Sequence, residues 1–211
     1  MNWWTKSDVS HLILLNKPFN VLCQFTDSEG RPTLADFVPI PNVYAAGRLD
    51  YDSEGLVILT DAGWLQHQIA EPKHKLPKTY WVQVERTPDE AALSQLARGV
   101  TLNDGDTLPA KVSVIDPPPI WERDPPIRFR KSVPTAWLEM EIVEGRKRQI
   151  RRMTAAVGYP TLRLIRQAIG QWKLEDMKPG EWREMPCPHN VGELNKLMGE
   201  NRTRTRTDKR G

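Results

Sequence analysis

Residues 43–59 read Val43-Tyr44-Ala45-Ala46-Gly47-Arg48-Leu49-Asp50-Tyr51-Asp52-Ser53-Glu54-Gly55-Leu56-Val57-Ile58-Leu59. The first four and the last four of these residues form short apolar runs, and such runs bounded by turn residues are typical of buried strands. The segment between the runs is mostly polar and has a glycine at each end, which favours a turn. The stretch therefore predicts a strand, a polar loop and a second strand.

On either side of this unit, short apolar strands alternate with polar helices at irregular intervals. Further strands are predicted at residues 12–15, 79–84, 108–115, 135–143 and 162–169. The first predicted helix is capped by Asp61 or Thr60 and ends at residue 70, and the second follows the capping box Thr87-Pro88-Asp89-Glu90 and ends at residue 98. Two more helices are predicted, one from residue 145 to about 158 and one at 191–198. Because strands outnumber helices and do not follow a regular strand-helix-strand repeat, we expect an α+β fold with a mixed, mainly antiparallel sheet.

The composition excludes several classes of protein. The chain has 211 residues, of which 39% are hydrophobic, so it can bury a sizeable core and is not a disordered chain. No apolar run approaches the roughly 18 residues that span a bilayer, and the first residues lack the features of a signal peptide, so we expect a cytoplasmic protein without membrane contact. Cys23 and Cys187 lie far apart in the sequence, which argues against a disulfide scaffold and a thiolate zinc site.

The positive charge is concentrated in two segments. The formal net charge is +3, and residues 200–211 carry all of this excess, so the rest of the chain is neutral. Within that neutral part, residues 144–166 contain six arginines and one lysine but only one acidic residue, Glu144. A focal basic patch of this kind indicates a polyanionic partner, and the planar guanidinium suits phosphate. The alternative is a solvated helix face.

Three carboxylates alternate in the polar loop, and the residues alone allow several interpretations of Asp50, Asp52 and Glu54. An EF-hand calcium loop is excluded, because its twelfth ligand would be Asp61 instead of glutamate and residues 56–59 resemble a strand. The carboxylates could bind magnesium for phosphodiester cleavage, since alternate residues of a strand share one face. One of them could instead be a nucleophile that a nearby arginine keeps ionised. Asp50 and Asp52 could also simply shape the turn.

Four separated motifs occur in an order and spacing that resemble one enzyme family. They are Leu14-Leu15-Asn16-Lys17-Pro18, Gly47-Arg48-Leu49-Asp50 followed by Asp52-Ser53-Glu54-Gly55-Leu56, Lys78-Thr79-Tyr80, and Gly145-Arg146-Lys147-Arg148-Gln149-Ile150-Arg151-Arg152-Met153. Together they resemble the pseudouridine synthases of the bacterial small-subunit and large-subunit ribosomal RNA group. The resemblance extends over residues 11–185 of the chain.

The resemblance implies catalytic roles for Asp50, Tyr80 and Arg151. Asp50 matches the family's catalytic aspartate, which acts as a nucleophile toward the ribose or the base, or as a base toward an intermediate. Tyr80 matches the aromatic residue that stacks on the uracil. Arg151 matches the cation that pairs with the aspartate, so we expect a salt bridge between Arg151 and Asp50.

The same resemblance implies further contacts to the substrate. Ile150 would form an apolar floor under the base. The candidates for RNA phosphate contacts, which would be salt dependent, are Arg48, Lys78, Arg146, Arg148, Arg152 and Arg166. Lys17 could contact the substrate or could simply end a strand before Pro18.

The implied function is the isomerisation of a specific uridine in large-subunit (23S) ribosomal RNA to pseudouridine, by a reaction that needs neither a cofactor nor a metal. The implied architecture is the pseudouridine synthase fold, with two lobes and a catalytic cleft. We expect the target base to be flipped out or in a loop, because duplex RNA hides its bases. We also expect a monomer that acts on ribosomal RNA, either free or in an assembling ribosomal particle. Two rivals stay open, a non-catalytic RNA-binding assembly factor and a metal-dependent nuclease.

The expected domain organisation has three parts. Residues 1–10 form an N-terminal extension, in place of the accessory RNA-binding domain that many members of the family carry. Residues 11–199 form the catalytic domain, in which the proline-rich segment 116–126 is a hinge or a surface connector. Residues 200–211 form a basic tail whose composition predicts disorder.

Overall fold

The computed structural model describes residues 10–74, 76–127 and 133–199. The predicted basic tail at 200–211 and nearly all of the predicted extension at 1–10 lie outside these residues.

The described residues form eleven strands, four α-helices and two short 3-10 turns. The strands are β1 (Leu12–Lys17), β2 (Tyr44–Ala45), β3 (Glu54–Thr60), β4 (Lys78–Glu85), β5 (Thr101–Leu102), β6 (Gly105–Asp106), β7 (Lys111–Ile115), β8 (Thr135–Ile142), β9 (Thr161–Ile169), β10 (Trp172–Lys173) and β11 (Trp182–Met185). The helices are α1 (Gly63–Ala70), α2 (Glu90–Arg98), α3 (Gln149–Ala156) and α4 (Val191–Leu197). The 3-10 turns are Leu34–Asp36 and Pro72–His74.

Nine of the strands form one mixed sheet in the order β11-β1-β3-β9-β4-β8-β7, with β2 paired to β3 and β10 paired to β9. Every pairing in this sheet is antiparallel except that of β3 with β9. The predicted α+β class with a mixed, mainly antiparallel sheet is therefore confirmed.

The parallel pairing of β3 with β9 joins two parts of the sheet, and it extends over only two residue pairs, Glu54 with Ile165 and Gly55 with Arg166. The approach of the two backbones is so close that a Cβ atom on Gly55 would lie 2.5 Å from the carbonyl oxygen of Arg166. Gly55 also has a φ of +104°, which an L side chain rarely adopts. Glycine is therefore required at position 55, where β3 and β9 join the two parts of the sheet, which we call its two lobes.

The sheet buries apolar side chains on both faces. Because side chains alternate along a strand, β1 sends Ile13 and Leu15 into one core cluster and Leu12 and Leu14 into the other. Helices α2 and α3 contribute to the first cluster, and α1 and α4 contribute to the second. The result is a sheet between two layers of helices.

Several predicted boundaries differ from the observed ones. Helix α1 has Ala62 as its N-cap, and neither of the predicted caps takes that position. The Thr60 hydroxyl accepts a hydrogen bond from the backbone amide of Ala62, and the Asp61 carboxylate accepts one from the backbone amide of His11. Helix α2 is capped by Asp89, whose carboxylate accepts from the amide of Ala92 at 2.8 Å, and not by the predicted capping box. Helix α3 begins four residues later than expected, after a loop. None of the helices in the described part of the chain is long and apolar enough to cross a membrane.

Candidate active site

A cleft of about 340 Å³ opens beside the meeting point of the two lobes. Three segments line it, namely the polar loop after β2, strand β4 with its neighbours, and the loop that leads into α3. Of the predicted site residues, the cleft brings together Arg48, Asp50, Lys78, Tyr80, Arg146, Arg148, Ile150 and Arg166. Arg151 and Arg152, also predicted, lie outside this lining.

The loop that carries Asp50 is stabilised by hydrogen bonds from the buried side chain of Arg166. The Arg166 guanidinium donates to the carbonyl oxygens of Leu56 at 2.7 Å, Gly47 at 3.2 Å and Arg48 at 3.5 Å. The side chain is only 2% exposed, although it was predicted to contact RNA phosphates. Its burial and its three carbonyl partners place it in a position that supports the loop.

Two arginines at the start of α3 meet the other carboxylate of the loop, Asp52. Arg148, in the left-handed N-cap position of α3, donates two hydrogen bonds to this carboxylate at 2.7 and 2.8 Å. Arg151 donates to the Asp52 carbonyl oxygen at 2.6 Å and lies 3.5 Å from its carboxylate. Burial alone would raise the pKa of Asp52, but the hydrogen bonds from Arg148 and the charge of Arg151 outweigh it and hold that pKa below its usual value.

The expected salt bridge between Arg151 and Asp50 is not among the ion pairs of the described residues. Arg148 instead approaches Asp50, at 3.9 Å from Oδ2, while Arg151 turns to Asp52. Asp52 accepts the hydrogen bonds of both guanidiniums, from Arg148 on its carboxylate and from Arg151 on its carbonyl oxygen. The motifs include Asp52 but gave it no role of its own, so its place as the shared partner of the two arginines was missed.

Tyr80 and Ile150 are among the apolar residues that line the cleft. Tyr80 is 7% exposed and Ile150 is 3% exposed, and both also belong to the first core cluster. Tyr80 lies on β4 in register with Arg166 on β9, so the aromatic ring and the loop-supporting arginine come from neighbouring strands. The cleft thus combines an aromatic and an aliphatic side chain with the polar loop.

Two lysines of the predicted motifs are buried. Lys78 lines the cleft and donates to the Leu76 carbonyl oxygen at 3.1 Å, and burial, with the nearby charge of Arg166, lowers its pKa to about 8. Lys17 is fully buried away from the cleft lining and donates to the carbonyl oxygens of Pro18 and Val21, each at 2.8 Å. Burial is also the main cause that lowers the pKa of Lys17 to about 8. The structure thus places Lys17 at a strand end.

Arg146 and Arg152 are tied to a hairpin formed by β5 and β6. Arg152 donates two hydrogen bonds to the Asp104 carboxylate, at 2.7 and 3.1 Å. Arg146 donates to the Gly105 carbonyl oxygen at 2.8 Å and to that of Asp106. The sequence analysis did not predict this hairpin. Lys147, which was not among the predicted site residues, is exposed at the cleft beside Arg148.

Glu54 does not share a site with Asp50 and Asp52. It is 1% exposed and forms an ion pair with Arg163, at 2.8 Å, and it accepts a hydrogen bond from the Trp121 indole. The latter contact also attaches the proline-rich segment to the sheet. Within residues 10–74, 76–127 and 133–199, no three His, Cys, Asp or Glu side chains are grouped closely enough to hold a metal ion. The geometry therefore gives no support to the nuclease hypothesis.

Comparisons with known proteins agree with the predicted family. The sequence pattern of the RNA pseudouridylate synthase family matches residues 11–156. The ribosomal large subunit pseudouridine synthase E of Vibrio vulnificus (strain CMCP6) is 59% identical over 177 residues, which cover 84% of this chain and 76% of that protein. The protein of the same name from Xanthomonas campestris pv. campestris is 60% identical over 175 residues, which cover 82% of this chain and 94% of that protein.

A solved structure shows the same architecture. A crystal structure of a pseudouridylate synthase superposes with a TM-score of 0.72 and 32% identity, covering 93% of this chain and 76% of that one. The family resemblance drawn from the four sequence motifs is thereby confirmed, together with the predicted fold. This chain belongs to the RNA pseudouridylate synthase family.

Proposed function

We propose that this enzyme isomerises a specific uridine of large-subunit ribosomal RNA to pseudouridine, with Asp50 as the catalytic carboxylate. The observation that carries the proposal is the position of Asp50 in the cleft that Tyr80 and Ile150 also line, 3.9 Å from the guanidinium of Arg148. The names of the relatives at 59% and 60% identity support the choice of large-subunit RNA.

The site accounts for the steps that the reaction needs. The bond between N1 of the base and C1′ of the ribose must break, the base must turn, and C5 must bond to C1′. Asp50 acts as the nucleophile: its carboxylate bonds to C1′ as the bond to N1 breaks, and it leaves again when C5 bonds to C1′. Tyr80 stacks on the uracil and Ile150 supports it, so that the base stays in the cleft while it turns.

The shape of the cleft requires an unstacked base. Its volume of about 340 Å³ is at the lower end of the range of ligand pockets, which is about 300–1,000 Å³. A single nucleoside fits such a space, whereas a duplex does not, so the uridine must leave its stack. The exposed cations at the rim, Arg48, Lys147 and Arg148, are placed to bind the displaced backbone.

The substrate class is tested by tritium release from carbon-5-labelled uridine in three unmodified transcripts, large-subunit ribosomal RNA, small-subunit ribosomal RNA and transfer RNA. We expect release from the large-subunit transcript alone, and equal release with and without EDTA. Release from one of the other transcripts only would overturn the assignment to the large subunit. Tight binding without release from any RNA would favour the assembly factor, and EDTA-sensitive strand cleavage would favour the nuclease.

The proposal extends to the state in which the enzyme acts. We expect a monomer in the cytoplasm that modifies ribosomal RNA either free or in an assembling ribosomal particle. Sedimentation of the purified protein tests the first expectation, and comparison of free transcript with partly assembled subunits as substrates tests the second.

A further inference from the structure

Two buried cations lie at the floor of the cleft, and neither has a carboxylate partner. Lys78 is 7% exposed and Arg166 is 2% exposed, and both line the cleft. Among the ion pairs of the described residues, none includes Lys78 or Arg166, and only backbone carbonyl oxygens accept their hydrogen bonds. Two positive charges are therefore buried here without an ion-pair partner among the described residues.

The same strand provides a contrast. Arg163 on β9 is 6% exposed, and it is neutralised by the buried carboxylate of Glu54 at 2.8 Å. Arg166, three residues along, has no such partner within the described chain. Burying an unpaired charge costs free energy, so buried charges are normally paired. The unpaired cations at the cleft floor indicate that the missing negative charge comes from the substrate.

Lys78 is the member of the pair that is free to contact a substrate. Arg166 uses its Nε group on the carbonyl oxygen of Leu56 in β3 and its Nη1 and Nη2 groups on two carbonyl oxygens of the loop. An ammonium group has three N–H donors, and the Leu76 carbonyl oxygen accepts only one from Lys78. Lys78 also lies two residues before Tyr80 on β4, so both side chains are on the cleft side of the strand.

The charged groups around Lys78 leave a place for an anion. Arg166 faces it from β9, and the loop after β2 contributes Arg48 and Asp50 to the cleft. The opposite wall contributes Arg146, Lys147 and Arg148. Asp50 is thus the one carboxylate among the described cleft-lining residues.

We propose that Lys78 donates a hydrogen bond to the uracil ring and stabilises the negative charge that develops on it during the reaction. The inference rests on the proposed uridine isomerisation. When the bond from N1 to C1′ breaks, its electron pair stays on the uracil and is shared by the carbonyl oxygens. When C5 then bonds to C1′, the C5 proton passes to solvent and N1 takes up a proton, so that the product is an isomer of the substrate.

A buried cation is well suited to this role. A charge that is already in place, in a site that excludes water, stabilises a developing anion more strongly than solvent does. The role requires the charged form of Lys78, and burial has lowered its pKa to about 8. Because the ammonium is lost as the pH rises through this value, the rate of the chemical step should fall above about pH 8.

The test compares Lys78→Met and Lys78→Arg with Lys17→Met, a buried lysine of similarly lowered pKa outside the cleft lining. The single-turnover rate at which the target nucleotide is consumed is measured on RNA that carries uridine or 5-fluorouridine at that position, because C5 of 5-fluorouridine has no proton to lose and so gives no pseudouridine. RNA affinity and thermal unfolding are recorded for each variant. We expect Lys78→Met to slow the reaction of uridine about 100-fold, with little change in affinity. The fluorine stabilises the leaving anion by itself, so the loss should be clearly smaller with 5-fluorouridine.

The pH profiles give an independent result. In the wild type and in Lys17→Met the rate should fall above about pH 8, whereas in Lys78→Arg, whose cation stays protonated, this fall should disappear. Three results would overturn the inference. They are an equal loss of rate on the two nucleotides in Lys78→Met, a loss of RNA affinity instead of rate in that variant, and an unchanged fall in rate above about pH 8 in Lys78→Arg. An inactive wild type would count against the proposed function, whereas an active wild type with an equally active Lys78→Met would count only against the role of Lys78.

Discussion

Arg148 donates two hydrogen bonds to the carboxylate of Asp52, at 2.7 and 2.8 Å, while its guanidinium lies 3.9 Å from Oδ2 of Asp50. The arginine is thus fixed by one carboxylate and placed beside another. Because Asp50 forms no direct hydrogen bond with Arg148, its oxygens stay available to the substrate while the positive charge remains near them. Asp52 is therefore a positioning residue in this account.

Replacement of Asp52 by asparagine should lower kcat more than it raises KM. The neutral amide cannot hold the guanidinium by two charge-assisted hydrogen bonds, so Arg148 loses its fixed position beside Asp50. Since the Asp52 side chain is 34% exposed, we expect a loss of about 10-fold, toward the lower end of what a charged hydrogen bond supports. Asp116→Asn, on the exposed proline-rich segment, is the matched control. A pure KM effect in Asp52→Asn would contradict the positioning role.

Arg166→Met should destabilise the protein and the catalytic loop together. The substitution leaves the carbonyl oxygens of Gly47, Arg48 and Leu56 without their buried donor, and each such loss typically costs about 1–3 kcal/mol. We expect a lower free energy of unfolding in urea and a lower kcat. Arg152→Met removes an arginine whose partner, Asp104, is exposed, and it should change stability much less. Similar stabilities for the two variants would show that Arg166 does not support the loop.

Glu54→Gln should be among the most destabilising substitutions in the sheet. Glu54 and Arg163 form a buried ion pair, and removal of one partner of such a pair typically costs about 3–5 kcal/mol. The double variant Glu54→Met with Arg163→Met should recover part of the loss, because it leaves no unpaired buried charge. Urea unfolding of Glu54→Met, Arg163→Met and the double variant measures this coupling, and strictly additive losses would refute it.

Deletion of residues 200–211 should weaken RNA binding without changing specificity. The segment carries five basic and two acidic residues, so its contribution is electrostatic and decreases with salt. We expect the affinities for large-subunit and small-subunit transcripts to fall by the same factor and the salt dependence to become shallower. Unchanged binding at both low and moderate salt would refute a role of the tail in RNA binding.

The parts of the fold that local signals specify were predictable from the sequence. The segment from Thr87 to Gly99 carries its own start and stop signals, and it forms α2. Strand β8 shows a clear alternation of apolar and polar residues and was predicted to within one residue. Strand β11 was missed, because Trp182-Arg183-Glu184-Met185 has little apolar character and is recognisable only by its pairing with β1.

The sequence predicted which residues belong to the candidate site, but not which of them form hydrogen bonds and ion pairs with each other. The motifs identified Asp50, Tyr80 and Ile150, which the fold does bring together in the cleft. They did not reveal which carboxylate each arginine meets, because partners such as Arg152 and Asp104 are far apart in the sequence. The burial of Arg166 was also hidden, since an arginine that lies under a loop and one that faces solvent have the same local sequence signal.

The central claim is that Asp50 catalyses the isomerisation of uridine in large-subunit ribosomal RNA. The most direct measurement is tritium release from carbon-5-labelled uridine in that RNA by the wild type, Asp50→Asn and Asp116→Asn, at enzyme concentrations that saturate the RNA. We predict release by the wild type and by Asp116→Asn, and none by Asp50→Asn, although this variant should fold and bind the RNA as the wild type does. Release by Asp50→Asn at the wild-type rate would contradict the account.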